Sequence, residues 1–165
     1  RILCVGALEK RVDLGEADCV SVTALLETVL SERRSVAAMR SVRLTVDAPE
    51  DLEIRCDLIL LKQAIGNLVQ NAIEHSFIGS EVLIHVTADE HQVRFSVRDH
   101  GPGIPKEALQ HVFDCFYSHR NGDEGRERDG VGLFFVKETA DLHHGHVTVK
   151  NHPDGGVIAE FSMPR

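Results

Sequence analysis

Residues 58–76 read LILLKQAIGNLVQNAIEHS, and the prediction of the fold starts from this segment. At 100° per residue its aliphatic side chains fall on one face and its polar side chains on the other, which predicts an amphipathic helix. Asp57 precedes the stretch and suits the N-cap position. The helix is therefore predicted to run from residue 58 to about residue 76, with this polar face: Gln63, Asn67, Gln70, Asn71 and Glu74.

Two asparagines on that face are four residues apart, so Asn67 and Asn71 lie one turn above each other. Their amide oxygens can serve as neutral ligands of a hard cation such as Mg²⁺, with phosphates and water completing the shell. The alternative is a solvated polar stripe, and the helix alone does not decide between the two.

On the N-terminal side, apolar residues at helical spacing predict a single amphipathic helix over residues 22–40. Short strands are predicted within 13–21, at 42–46 and at 52–55. Residues 1–10 (RILCVGALEK) have the character of a helix end and begin without a cap.

On the C-terminal side, alternating segments predict a hairpin of strands 82–88 and 93–98 and a closing hairpin of strands 146–150 and 157–163. Helices are predicted at 106–112 and 130–142. Strands and helices mix without a βαβ alternation. The predicted fold class is therefore a two-layer α/β sandwich, with a mixed β-sheet covered on one face by about three helices.

Two glycine motifs carry further chemistry. Asp99-His-Gly101-Pro-Gly103-Ile104 follows a strand, where a carboxylate can accept a hydrogen bond from an exocyclic amine and glycines allow a flat ligand to approach the backbone. An ordinary turn is the alternative. Gly130-Val131-Gly132-Leu133 follows a polar stretch and opens a helix, whose free amides can bind phosphate. A helix start with a flexible approach is the alternative there.

Composition excludes several classes of function. The 165 residues carry a net charge of −8 without a basic patch, which argues against a nucleic-acid partner. No apolar run reaches the ~18 residues of a membrane span. The four cysteines form no Cys-x-x-Cys pair, so no zinc site is expected. The histidines at 143, 144 and 146 lack carboxylate or thiol partners at ligand spacing, which favours surface or structural roles.

In this order the motifs resemble the GHKL (Bergerat-fold) ATP-binding superfamily, and in detail its histidine kinases. Residues 67–76 are similar to the N box, 99–104 to the first glycine box, 113–117 to the F box and 130–137 to the second glycine box. The resemblance covers about residues 13–163.

The resemblance implies ATP and Mg²⁺ as cofactors, with Asn71 and Asn67 as metal ligands and Asp99 as acceptor of the adenine amino group. Residues 117–129 would form an ATP lid, in which an arginine (Arg120, Arg126 or Arg128) could meet phosphate. The full implied nucleotide site is Asn67, Asn71, Glu74, His75, Asp99, Gly101, Gly103, Ile104, Arg120, Arg128, Gly130, Val131, Gly132 and Leu133.

One position separates reaction classes. Hydrolysing relatives place a general-base Glu four residues before the metal-binding Asn, whereas this chain has Asn67, which cannot take a proton. Transfer of the γ-phosphoryl group to a histidine is therefore expected. None of the ten histidines lies in the family's acceptor context, so the acceptor is expected on a separate dimerisation domain.

The resemblance also implies an arrangement of the full-length protein. Residues 1–10 would be the tail of the dimerisation helix and 11–165 the catalytic domain of a homodimeric, membrane-anchored sensor kinase, on the cytoplasmic side. A response regulator would act downstream, and this domain would contact neither nucleic acid nor the membrane directly.

At two positions this chain departs from the pattern of the family, and alternatives to the kinase function stay open. Glu74 stands where many relatives have Lys or Arg, and Arg128 stands where many have glycine. A degenerate nucleotide-binding or interaction module without kinase activity is the first alternative. A GHKL-type ATPase of the same fold is the second.

Overall fold

A five-stranded sheet forms one layer of the molecule, and helices on one face form the other. The computed structural model describes residues 17–114 and 132–165. The elements in chain order are β1 (Asp18–Ser21), α1 (Val22–Ser31), α2 (Arg34–Met39), β2 (Arg43–Asp47), β3 (Glu53–Cys56), α3 (Leu58–His75), β4 (Glu81–Ala88), β5 (Gln92–Arg98), α4 (Lys106–Leu109), α5 (Gly132–Leu142), β6 (His146–Asn151) and β7 (Val157–Pro164).

The strand order of the large sheet is β2-β4-β5-β7-β6. β2 runs parallel to β4, and the other three pairs are antiparallel. One parallel pair among antiparallel neighbours makes the sheet mixed, as the sequence predicts. β1 and β3 form a separate antiparallel pair, in which Asp18 is opposite Cys56.

The core lies between the sheet and helices α1, α3 and α5. Alternate residues of the central strands face the helices, since successive side chains of a strand point to opposite faces. Phe95 and Phe161 are opposite each other in β5 and β7, and their rings meet edge to face at 6.3 Å between centroids. The helices bury aliphatic residues against them, including Leu25, Val29, Leu61, Ile65, Val69, Val136 and Ala140. The prediction of a mixed sheet covered on one face by about three helices is confirmed.

The prediction of one helix over residues 22–40 is wrong, because the helix ends at Ser31 and a second one starts at Arg34. Arg33 lies between them and turns inward, where its Nε donates to the Gly66 carbonyl oxygen at 2.7 Å. A Cβ on residue 66 would overlap the guanidinium, so glycine makes the room. Burial lowers the pKa of Arg33.

The predictions for residues 1–10 and for the lid at 117–129 lie outside the described residues. Within residues 17–114 and 132–165, no helix combines the length and apolar character needed to cross a membrane.

Candidate functional site

The start of α3 is joined to the end of α5. Asp57 caps α3, since its Oδ1 accepts from the Leu60 N–H at 3.0 Å. The Asp57 N–H donates to Nε2 of buried His143 at 3.0 Å, and His143 Nδ1 donates to the Thr139 carbonyl oxygen at 2.8 Å. Burial lowers the pKa of His143, which favours the neutral ring that this pair of bonds requires. This histidine is therefore structural, and no group of three or more His, Cys, Asp or Glu among the described residues could hold a metal ion.

Asn67 links the polar face of α3 to the first residue of α5. Its Nδ2 donates to the Gly132 carbonyl oxygen at 3.0 Å, and its Oδ1 accepts from Gln63 Nε2 at 2.7 Å. Two motifs that are 65 residues apart in sequence therefore meet at one point of the structure.

The C-terminal end of α3 is held by side chains that satisfy its last carbonyl groups. His75 Nδ1 donates to the Asn71 carbonyl oxygen at 2.8 Å. From α2, the Arg40 guanidinium donates to the carbonyl oxygens of Ile73 at 3.0 Å and Ser76 at 2.7 Å. The sequence reasoning missed Arg40, because no pattern connects it with a helix 33 residues away.

Glu74 lies on the same polar face of α3. Its carboxylate accepts a hydrogen bond from Gln70 Nε2 at 2.9 Å, one turn earlier in the helix. The carboxylate of Glu74 is therefore hydrogen-bonded within the helix itself.

Asp99 is the buried carboxyl of the site, with 4% of its surface exposed. Its Oδ1 accepts from the N–H groups of Gly101 at 3.1 Å and Val157 at 3.0 Å. Both hydrogen bonds to its side chain from the described residues end on this one oxygen. Burial raises the pKa of Asp99, and the two backbone N–H groups oppose that rise. One oxygen is thus fixed by the backbone, and Oδ2 remains for a ligand.

The glycine loop 99–105 packs against the C-terminal end of α3. A Cβ on Gly101 would overlap the His75 carbonyl oxygen, so only glycine permits this approach. The Phe77 N–H donates to the His100 carbonyl oxygen at 3.2 Å and joins the same two segments. Asp99, Gly101 and His75 therefore lie close together in the structure.

Ile104 is the last residue of that motif, and it is held by a residue that the sequence did not mark as part of the site. Asn151, the last residue of β6, accepts from the Ile104 N–H through Oδ1 and donates to the Ile104 carbonyl oxygen through Nδ2, both at 2.8 Å. The Ile104 side chain belongs to a small apolar cluster with Ala108, Val112 and Val157, against which Phe113 and Leu133 pack.

The remaining predicted residues divide into two groups. Gly103, Gly132 and Leu133 are described, the last two in the first turn of α5. Arg120, Arg128, Gly130 and Val131 lie outside the described residues. Asn67 and His75 are eight residues apart on α3, which separates the Gly132 end of the site from the Asp99 end by about 12 Å.

Known proteins are similar to this chain in sequence and in fold. The family described as "Histidine kinase-, DNA gyrase B-, and HSP90-like ATPase" matches residues 56–165. The signal transduction histidine-protein kinase AfsQ2 of Streptomyces coelicolor is 37% identical over 73% of this chain and 22% of its own length. The sensor protein CreC of Escherichia coli is 36% identical over 88% of this chain and 30% of its own length. The chain thus spans less than a third of either relative.

Solved structures agree with the sequence relatives. The catalytic domain of histidine kinase ThkA superimposes with a TM-score of 0.80 at 27% identity, covering 90% of this chain and 95% of that domain. ThkA in complex with the response regulator protein TrrA superimposes with a TM-score of 0.74 at 26% identity, covering 90% of this chain and 41% of that one. The chain therefore belongs to the family of histidine kinase-, DNA gyrase B- and HSP90-like ATPases, as an ATP-binding catalytic domain of the sensor histidine kinase type.

Proposed function

We propose that this domain binds Mg-ATP between α3, the glycine loop and the start of α5, and delivers the γ-phosphoryl group to a histidine on a separate dimerisation domain. The hydrogen bonding of the Asp99 carboxyl group is the observation that carries the proposal. Because Oδ1 is occupied by two backbone N–H groups, Oδ2 is the acceptor for the exocyclic amine of adenine. Gly101, Gly103 and Ile104 would line the base, with His75 beside it.

The phosphates belong at the other end of the site. The first turn of α5 offers backbone N–H groups without helical partners, which favour phosphate. Gly132 and Leu133 lie there, and Asn67 fixes the position of that turn through the Gly132 carbonyl oxygen. Gly130, Val131, and Arg120 or Arg128 from a lid at about 117–129 would complete the phosphate contacts.

The polar face of α3 fits a hard cation bound through the phosphates. Asn71 is proposed as the Mg²⁺ ligand, since neutral amide oxygens suit this ion and leave the phosphates to supply the charge. Asn67 can join it through the second lone pair of its Oδ1, since the first accepts a hydrogen bond from Gln63. Bound Mg²⁺ would neutralise charge on the β- and γ-phosphates.

The same face argues against hydrolysis. An amide at position 67 cannot accept a proton from water, and here it also connects α3 with α5. The domain contributes position and electrostatic stabilisation, while the attacking nitrogen comes from the partner domain.

The proposal extends to the full-length protein. Residues 1–10 would be the tail of a dimerisation helix that carries the acceptor histidine, and residues 11–165 would be the catalytic domain. The full-length protein would be a homodimer. A response regulator would take the phosphoryl group from that histidine, an expectation supported by the ThkA complex with TrrA. Membrane anchoring, with this domain on the cytoplasmic side, is proposed from the sensor kinase relatives.

Incubation with γ-labelled ATP tests the proposal. Label should appear on an added dimerisation domain, should be lost when its acceptor histidine is replaced by alanine, and should not appear on this chain alone. Stoichiometric labelling of the isolated chain would contradict the proposal. Absence of binding at millimolar Mg-ATP would favour a non-catalytic interaction module, and steady phosphate release without acceptor would favour an ATPase.

A further inference from the structure

The facing ends of β6 and β7 form hydrogen bonds with both ends of the glycine loop. At the first end, the Asp99 N–H donates to the Val157 carbonyl oxygen at 2.9 Å, and the Val157 N–H returns a bond to Asp99 Oδ1 at 3.0 Å. At the second end, Asn151 bonds both backbone groups of Ile104. Val157 thus binds Asp99 at one end of the loop, and Asn151 binds Ile104 at the other. The residues between Asp99 and Ile104 have no regular secondary structure of their own.

Asn151 is chemically suited to this contact. A carboxamide presents one acceptor and one donor side by side, so a single side chain can pair with the N–H and C=O of one residue in the manner of a neighbouring strand. Aspartate lacks the donor, and alanine lacks both groups. Both distances are 2.8 Å, within the normal range for N–H···O hydrogen bonds.

Two glycines allow these segments to come close enough for the hydrogen bonds to form. Gly103 has φ +84°, and a Cβ there would come within 2.9 Å of Asn151 Oδ1. Gly156 has φ +78°, and a Cβ there would overlap the Asp99 carbonyl oxygen. The loop and the turn therefore fit each other closely at both ends.

We infer that Asn151 is a positioning residue for base recognition, which fixes the backbone of Ile104 and thereby the register of the whole loop relative to the Asp99 carboxyl. This inference rests on the proposed function, because it assumes that the base lies against Asp99 and Ile104. Among the described residues, no side-chain hydrogen bond joins Asn151 to the phosphate end of the site, where Asn67 and Gly132 are held to each other.

The test compares Asn151→Ala and Asn151→Asp with the wild type by calorimetric titration of Mg-ATP and, separately, of inorganic tripolyphosphate with Mg²⁺. Loss of two hydrogen bonds that position the loop should weaken ATP binding about tenfold in Asn151→Ala, and at least as much in Asn151→Asp, whose second carboxylate oxygen would face the Ile104 carbonyl oxygen. Tripolyphosphate affinity should not change. A general structural defect would lower both affinities together, and so would contradict the inference.

Asp154→Ala is the matched control, because Asp154 is exposed in the same turn and its side chain makes no described contact with the glycine loop. It should bind ATP like the wild type. Hydrogen exchange of the Ile104 amide supplies a readout without nucleotide: exchange should accelerate in Asn151→Ala and not in Asp154→Ala. Unchanged ATP affinity or unchanged Ile104 exchange in Asn151→Ala would overturn the inference. Failure of the wild type to bind Mg-ATP would instead refute the proposed function, and the exchange rate would still decide whether Asn151 holds the loop.

Discussion

Replacing Asp99 by asparagine should separate the stability of this fold from its affinity for ATP. The two side chains have nearly the same shape, and the amide oxygen can keep both hydrogen bonds that Oδ1 accepts from Gly101 and Val157. What changes is the second position, where an acceptor oxygen becomes an NH₂ donor. The substitution also removes the ionisable group of a residue that has only 4% of its surface exposed.

Stability is expected to stay the same or to rise. Burial raises the pKa of Asp99 above its ordinary value, so the native protein holds this proton more tightly than the unfolded chain does. A group of this kind contributes stability below its ordinary pKa, and the contribution is lost as pH rises through the folded-state value. At neutral pH the wild type therefore carries the desolvation cost of the carboxylate, which Asp99→Asn lacks. On acidification toward the ordinary aspartate range, the wild type should gain stability relative to the variant.

Affinity is expected to fall. Oδ2 of an ionised carboxylate would accept one hydrogen bond from the adenine amino group, and a bond to a charged group contributes about 1.5–3 kcal/mol. At 1.4 kcal/mol per factor of ten, that loss corresponds to an increase of about 10- to 150-fold in the Kd for ATP. The variant also faces the adenine donor with a second donor, so the upper part of this range is expected.

Thermal unfolding from pH 4 to pH 8 and calorimetric titration with Mg-ATP measure the two effects. Asp154→Asn is the control for an exposed carboxylate and should change neither quantity. ATP binding by Asp99→Asn at wild-type affinity would refute the assignment of Oδ2 to the base. A loss of more than about 1 kcal/mol of unfolding free energy would refute the argument that the amide preserves the Oδ1 contacts.

Three further substitutions test other parts of the structure. The pKa of His143 is lowered in the folded protein, so the unfolded chain takes up the proton first, and the wild type should lose stability as pH falls below about 6.5, the ordinary histidine pKa. His143→Gln should make this loss smaller, as measured by thermal unfolding at a series of pH values with His152→Gln as the control. An unchanged pH dependence in His143→Gln would contradict the prediction. Gly101→Ala should cost about 1–3 kcal/mol in urea unfolding because its Cβ would overlap the His75 carbonyl oxygen, whereas Gly132→Ala, whose Cβ would come no nearer than 4.0 Å to the side chains of the described residues, should not destabilise. Equal losses would show that the close approach is not the cause. Asn71→Ala should reduce the affinity for ATP in Mg²⁺ to the value measured with EDTA, and a persistent Mg²⁺ dependence in calorimetry would place the metal on other ligands.

Much of the fold could be predicted because local signals and tertiary packing agree. The cap at Asp57, the period of α3 and the alternation of β4 and β5 each depend on residues close in sequence. The order of the glycine motifs then predicted that Asn67 and the start of α5 belong to one site, and the bond from Asn67 to Gly132 brings them together.

The sequence could not predict features that depend on distant partners. The apolar period continues through residues 29–37, so nothing local shows that Arg33 leaves the helix to bond the Gly66 carbonyl oxygen. Asn151 likewise has the composition of an ordinary turn residue, and its pairing with Ile104 spans 47 positions. Arg40 was missed for the same reason, since its acceptors lie at the far end of α3.

The two polar contacts described between α3 and α5 lie at opposite ends of their common length. One joins the cap of α3 to His143, and the other joins Asn67 to Gly132. They are ten residues apart on α3, or about 15 Å. Between these two contacts, Val136, Thr139 and Ala140 of α5 are fully buried. The helix is therefore held against the core along its length, and the Asn67 contact sets where the end proposed to bind the phosphates lies relative to the polar face of α3.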